Sequence, residues 1–214
     1  PGEVLGYLRV MKQTSDLWRA NWGNTAFFFV ATLVQINLAL YAQKVFHLKP
    51  TEQAGLQAAL SLGIGVGSVI AGRLSRGHIE YGLIPPGAAL MAAAAAVMGW
   101  PGIPETTFTG ALFLLGFGGG LFIVPIVSVL QHLPSPQTKG AVQGAASWLS
   151  WVGVAAASAT QGLLSGKAHL SYGQIFWFCG AVALLSGLFV AWTRPHAVPR
   201  MIAGWMGVGK EKAE

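Results

Sequence analysis

Six stretches of this 214-residue chain are long enough to cross a lipid bilayer and contain no Lys, Arg, Asp or Glu. They cover roughly residues 22–42, 54–71, 82–100 and 107–130, with a fifth between Lys139 and Lys167 and a sixth between Lys167 and Arg194. A hydrocarbon core needs about 20 apolar residues of helix per crossing. Inside it, each segment must satisfy its own backbone hydrogen bonds, and helices do so within a single span. Composition points the same way. The chain is 53% hydrophobic and 9% charged, whereas a soluble domain carries about 25% charged residues. So few charges cannot clothe a water-facing surface. The expected architecture is an all-α membrane protein with a lead-in over 1–20, a six-helix transmembrane bundle over 21–194 and a basic tail over 195–214.

Ten of the 13 lysines and arginines fall on one side of such a bundle. They are Arg9, Lys12, Arg19, Arg73, Arg76, Lys139, Arg194, Arg200, Lys210 and Lys212; Lys44, Lys49 and Lys167 fall on the other. Cytoplasmic loops carry the excess of positive charge, so both termini are expected in the cytoplasm. The net charge of +6 is therefore read as a topology signal, and no nucleic-acid partner is expected.

The fourth stretch reads LLGFGGGLFIVPIVSVLQ over 114–131. A dinucleotide loop needs G-x-G-x-x-G between a strand and a helix. GFGGGL puts Leu121 at the last glycine, and GIGVGS, earlier in the chain, puts Ser68 there. Both motifs lie within membrane-length apolar runs, where small residues four apart let helix backbones approach. Gly63 with Gly67, Gly116 with Gly120, and Gly140 with Gly144 are candidate packing pairs, joined by Gly118 and Gly119; Gly162 and Gly166 repeat the spacing. Pro125 removes one ladder hydrogen bond and is expected to kink the fourth span. That combination suits a helix that bends and equally one that packs statically.

Uncharged polar residues recur at helical spacing in three spans. Thr25, Thr32 and Gln35 lie in the first, with Asn24 and Asn37 nearby; Gln53, Gln57, Ser61 and Ser68 lie in the second. Gln143, Ser147, Ser150, Ser158 and Gln161 lie in the fifth, beside Trp148 and Trp151. An unpaired amide in hydrocarbon costs several kcal/mol, so these groups must face other helices or water. Two arrangements remain open: interhelical hydrogen bonds, or one wall of a translocation cavity. The cavity reading takes Asn24, Gln35, Asn37, Gln57, Ser61, Gln143, Ser147 and Trp148 as its lining.

Chemistry beyond binding has little to work with. The single cysteine, Cys179, forms no internal disulfide, and no two of the five histidines have helical metal-ligand spacing. The acids fall outside the spans and suggest no nucleophilic triad. No enzyme, metal or cofactor is expected.

Six spans with cytoplasmic ends, a basic loop between spans two and three, and a glycine-rich fourth span resemble one half of a major facilitator superfamily carrier. The family's signature loop corresponds to GSVIAGRLSRGHIEYG over 67–82, where Gly72, Arg73, Arg76 and Gly77 fit and Glu80 follows. The early acid of that signature is absent, and Arg76 stands near its place. With Lys139, these residues are the expected cytoplasmic gate. NWGNTAFFFVATLVQINLALYAQ, LSLGIGVGSVIAGRLSRGHIEYGLIP and GFGGGLFIVPIVSVLQHLPSPQTKGAVQGAASWLSWVG resemble, more narrowly, the carboxy-terminal half of bacterial lysophospholipid transporters.

That resemblance implies inward flipping of lysophospholipid across a bacterial inner membrane by alternating access. It also implies membrane lipid as a partner and a second six-helix half in the same or a partner chain. An acyltransferase partner is implied too, although the tail shows no acyltransferase motif. A carrier for a drug or small metabolite, and a non-transporting structural subunit, are the competing expectations.

Overall fold

The computed structural model describes residues 11–12, 14–75 and 79–193; among them there is no strand. Six long helices follow one another: α1 (Ser15–Lys44), α2 (Pro50–Ser75), α3 (Ile84–Met98), α4 (Glu105–His132), α5 (Lys139–Gly162) and α6 (Tyr172–Thr193). A 3₁₀ turn (Tyr81–Leu83) leads into α3, and a π turn (Leu163–Lys167) follows α5. Each expected span corresponds to one helix. The largest difference is at α1, which begins at Ser15, ahead of the uncharged run, with Asp16 and Arg19 3.8 Å apart in its opening turns.

Local chemistry accounts for the boundaries. Pro50 opens α2 while Glu52 accepts the Lys49 N–H at 2.7 Å, and Pro85 and Pro86 occupy the first turn of α3, where N–H groups have no helical partner. Ser171 and Gln174 form a reciprocal capping box before α6, at 2.9 and 3.3 Å. Five helical segments are long and apolar enough to cross a membrane; α5 is the exception. Its 24 residues would rise about 36 Å, so its shortfall lies in polarity and not in length.

Packing follows an exchange between two triplets, α1–α3 and α4–α6. Helix α4 packs chiefly on α2 and α3, α1 packs on α5 and α6, and α3 meets α6. Helices α1 and α4 touch through the middle, while α2 and α5 each leave a broad face uncovered. At the end of the bundle where α1 finishes, Tyr41, Phe46, Phe108 and Phe176 close the core with stacked and edge-on contacts at ring separations of 4.8 to 5.6 Å.

The seam between α2 and α4 is made of glycine and backbone. A Cβ on Gly63 or Gly67 would overlap the carbonyl of Phe113 or Phe117, and one on Gly116 would overlap that of Leu60. At Gly120 it would come 2.5 Å from Ser68 N, and at Gly118 2.7 Å from the Gly87 carbonyl of α3. Gly119 is different: its Cβ would meet only the Phe27 ring, at 3.4 Å.

One expectation is corrected here. At Gly140 and Gly144 a Cβ would meet nothing within 4 Å, and Gly162 and Gly166 are equally open. Gly140, Gly144 and Gly162 sit on the uncovered side of α5 and Gly166 in the π turn that follows, and among the described residues none of the four is in close contact with another helix. The run around Gly116 is continuous helix through Pro125, so it is no phosphate loop.

Candidate functional site

The uncovered side of α5 borders a cavity of about 380 Å³ shared with α1 and α4. Its position follows from the packing: α5 leans on α1 and scarcely on α4, which leaves a cleft between them. The cleft lies toward the end of the bundle where α1 begins. Asn24, Gln131, Gln143, Ser147 and Ser150 supply its polar atoms; Phe28, Val127, Leu130, Ala146, Trp151 and Val154 supply the apolar wall. No charged side chain borders it.

Two of the polar groups are already engaged. Asn24 Nδ2 donates to Ser150 Oγ at 2.8 Å, and Ser150 Oγ donates to the Ala146 carbonyl at 2.9 Å. This relay pins α1 to α5 at the floor of the cavity, and both side chains are buried. Gln143 and Ser147, on the exposed side of α5, remain available to a ligand.

The expected lining residues divide into four groups. Asn24, Gln143 and Ser147 come together in this cavity. Gln35 and Gln57 meet elsewhere, with Gln53, in a cleft of about 190 Å³ between α1 and α2 near the opposite end. Ser61 is exposed on the open face of α2 and Trp148 is half exposed on α5; neither borders the cavity. Asn37 is fully buried and no part of a cavity wall. Its Nδ2 donates to the Tyr172 carbonyl at 2.8 Å, and its Oδ1 accepts from Gln161 Nε2 at 3.5 Å. Hydrogen bonding between helices and an open polar lining therefore occur together: Asn37 and Gln161 only bond between helices, Gln143 and Ser147 only line the cavity, and Asn24 and Ser150 do both.

Gln131 was not singled out from sequence. Gln131 sits in the last turn of α4, where a polar residue is ordinary, and only the approach of α5 gives it a role.

Of the expected gate residues, Gly72 and Arg73 are exposed in the last turns of α2, Glu80 is half-buried ahead of the 3₁₀ turn, and Lys139 is exposed at the start of α5. Arg76 and Gly77 lie outside the described residues, as do most of the lead-in and the whole tail over 195–214.

In comparison with known families, the model of the Major Facilitator Superfamily matches residues 20–205. No curated protein matches the chain.

Proposed function

The chain belongs to the major facilitator superfamily, and from that premise of a multi-pass secondary transporter we propose that it forms one six-helix half of a carrier for lysophospholipid. The cavity between α1, α4 and α5 carries the reading. Its volume, about 380 Å³, falls within the usual range of ligand sites of roughly 300–1,000 Å³. Its lining combines amides and hydroxyls with Phe28, Leu130 and Trp151, each helix contributing both kinds. A single-chain amphiphile needs both: hydrogen-bonding groups for its head and an apolar surface for its acyl chain.

The second half, in the same chain or a partner chain, would cover α1, α2, α4 and α5. Gln57, Ser61, Gln143 and Ser147 are exposed there, and in hydrocarbon such groups would be strongly unfavourable. Alternating access then amounts to rocking of the two halves about this face. The excess of lysine and arginine supports cytoplasmic termini, and the resemblance supports a bacterial inner membrane and an acyltransferase partner. The uncharged lining also suits a neutral drug or metabolite, which is the second reading.

Uptake of labelled lysophospholipid by the full protein in vesicles tests the proposal. Gln143→Leu should lower uptake about tenfold, the loss of one ligand hydrogen bond, with membrane levels unchanged. Equal uptake by Gln143→Leu and the wild type would remove the cavity from the transport path. Failure of lysophospholipid to compete with a transported neutral drug would leave the second reading.

A further inference from the structure

The three helices around the cavity beside Asn24 grade in the same way along the bundle axis. Helices α1 and α5 begin at the end where the cavity lies, and α4 finishes there, so chain order gives depth. On α1, Asn24 lies outside Phe28. On α4, Gln131 lies outside Val127 with Leu130 between them, and on α5, Gln143 and Ser147 lie outside Trp151 and Val154. Ser150 is the polar group at the deeper level, and its hydroxyl is already engaged by Asn24 and the Ala146 carbonyl. The amides and hydroxyl still available to a ligand therefore stand at the mouth, and the large apolar side chains lie within.

Helix α5 continues this gradient past the mouth. Gln143, Ala146, Ser147, Ser150, Trp151 and Val154 line the cavity, and at 100° per residue they occupy an arc of about 140° on the helix. Lys139, the first residue of α5, falls inside that arc, one turn or about 6 Å outside Gln143. Its side chain is exposed, and a lysine stem is long enough to bring the ammonium back across one turn. Among the described residues, Asp16 with Arg19 is the one ion pair, so no acid neutralises Lys139. A topology signal needs a lysine at this end of the bundle and is indifferent to the face that carries it. Here the cation stands in line with the free amide and hydroxyl of a cavity that has no charged side chain of its own.

We propose that Lys139 binds the phosphate of an amphiphile whose tail lies inward along Phe28 and Trp151. Lysine serves phosphate as a point charge, and the phosphate in turn supplies the counter-charge that this end of α5 lacks. Gln131, Gln143 and Ser147 stand beside it to bond the ester and hydroxyl oxygens of the head. The cavity then discriminates by charge as well as by shape: of two amphiphiles with the same tail, the one bearing phosphate is held more tightly. This assignment rests on reading the cavity as the transport site, and it names the group on the substrate that the site recognises.

Equilibrium binding to the full protein in nanodiscs tests this with three probes: lysophosphatidic acid, monoacylglycerol with the same acyl chain, and glycerol 3-phosphate. The wild type should bind lysophosphatidic acid more tightly than monoacylglycerol. Lys139→Gln should lower the affinity for lysophosphatidic acid about fivefold, the worth of a partly exposed charge pair, and leave that for monoacylglycerol unchanged; Lys139→Arg should keep both. High salt should narrow the preference of the wild type and leave that of Lys139→Gln as it is. Equal affinity of the wild type and Lys139→Gln for lysophosphatidic acid would overturn the proposal. So would equal losses on both lipids, which would make Lys139 a structural or topological residue. Glycerol 3-phosphate bound through Lys139, with neither lipid bound, would overturn the amphiphile in favour of a small organophosphate. Lysophosphatidic acid held through Lys139 yet not taken up by vesicles would defeat the transport reading and uphold Lys139 as the phosphate ligand.

Discussion

Gly116 and Gly144 have the same motif spacing and opposite surroundings. A Cβ at position 116 would be driven into the Leu60 carbonyl, a backbone atom that cannot step aside, while one at 144 meets nothing within 4 Å. Gly116→Ala should therefore destabilise the protein by about 1–3 kcal/mol through overpacking. Gly144→Ala should be neutral, or should gain a few tenths of a kcal/mol from better helix propensity, about 1 kcal/mol being the ceiling. Thermal unfolding in detergent separates the two; equal effects would contradict the α2–α4 seam. Gly118 and Gly119 divide in the same way, since Gly118 faces the Gly87 carbonyl and Gly119 faces only a phenyl edge. Glycine spacing in the sequence marks where a backbone can be approached, without saying whether a neighbour does so. The approach depends on which helix lies opposite, and that information is not local. Asn37 makes the same point for polar residues: its place beside the polar stripe of α1 was legible, but its burial against Tyr172 was not, because the partner carbonyl is 135 residues away.

At the scale of the helix, the number and length of the segments were readable because hydrocarbon leaves the backbone one economical solution per crossing. Helix α5 is where that signal weakens. Gln143, Ser147, Ser150, Ser158 and Gln161 interrupt its apolar content, and it is the one long helix that falls short of membrane-crossing hydropathy. Ser158 Oγ turns back to the Val154 carbonyl at 3.1 Å, and Ser150 and Gln161 bond toward α1. Part of the polarity is thus satisfied only when α1 is present. Expressed alone between insertion reporters, α4 should enter the membrane efficiently and α5 poorly. Adding α1 and its neighbours in the same chain should restore α5. Amides within a span are each unfavourable by about 1–3 kcal/mol when nothing pairs them, which is enough to tip a marginal segment. Efficient insertion of isolated α5 would show that its polar groups need no helix beside them.

Across the whole molecule the two broad faces differ in kind. On the face of α3 and α6, Trp100, Leu185, Leu188 and Trp192 are exposed by 69%, 66%, 54% and 82%. An apolar cleft of about 540 Å³ lies there between Ala92, Ala96, Trp177, Gly180 and Leu184, with the Trp177 indole N–H spent on the Ala96 carbonyl at 3.0 Å. Nothing on that face asks for water. The face of α2 and α5 exposes Gln57, Ser61, Gln143 and Ser147 with open glycines between them, and amides there need water or polar neighbours. A bundle with one lipid-compatible side and one hydrated side is asymmetric about its own axis, as one half of a carrier would be. Single cysteines in a Cys179→Ala background make this measurable with a small, membrane-impermeant, charged thiol reagent. Ser61→Cys and Ser147→Cys should react, because thiolate forms only where water reaches. Leu185→Cys and Leu188→Cys should stay unmodified in membranes and become reactive after denaturation. If the α6 positions react as fast as those on α2 and α5, the hydrated side has been assigned to the wrong helices, and the cavity beside Asn24 would open into lipid.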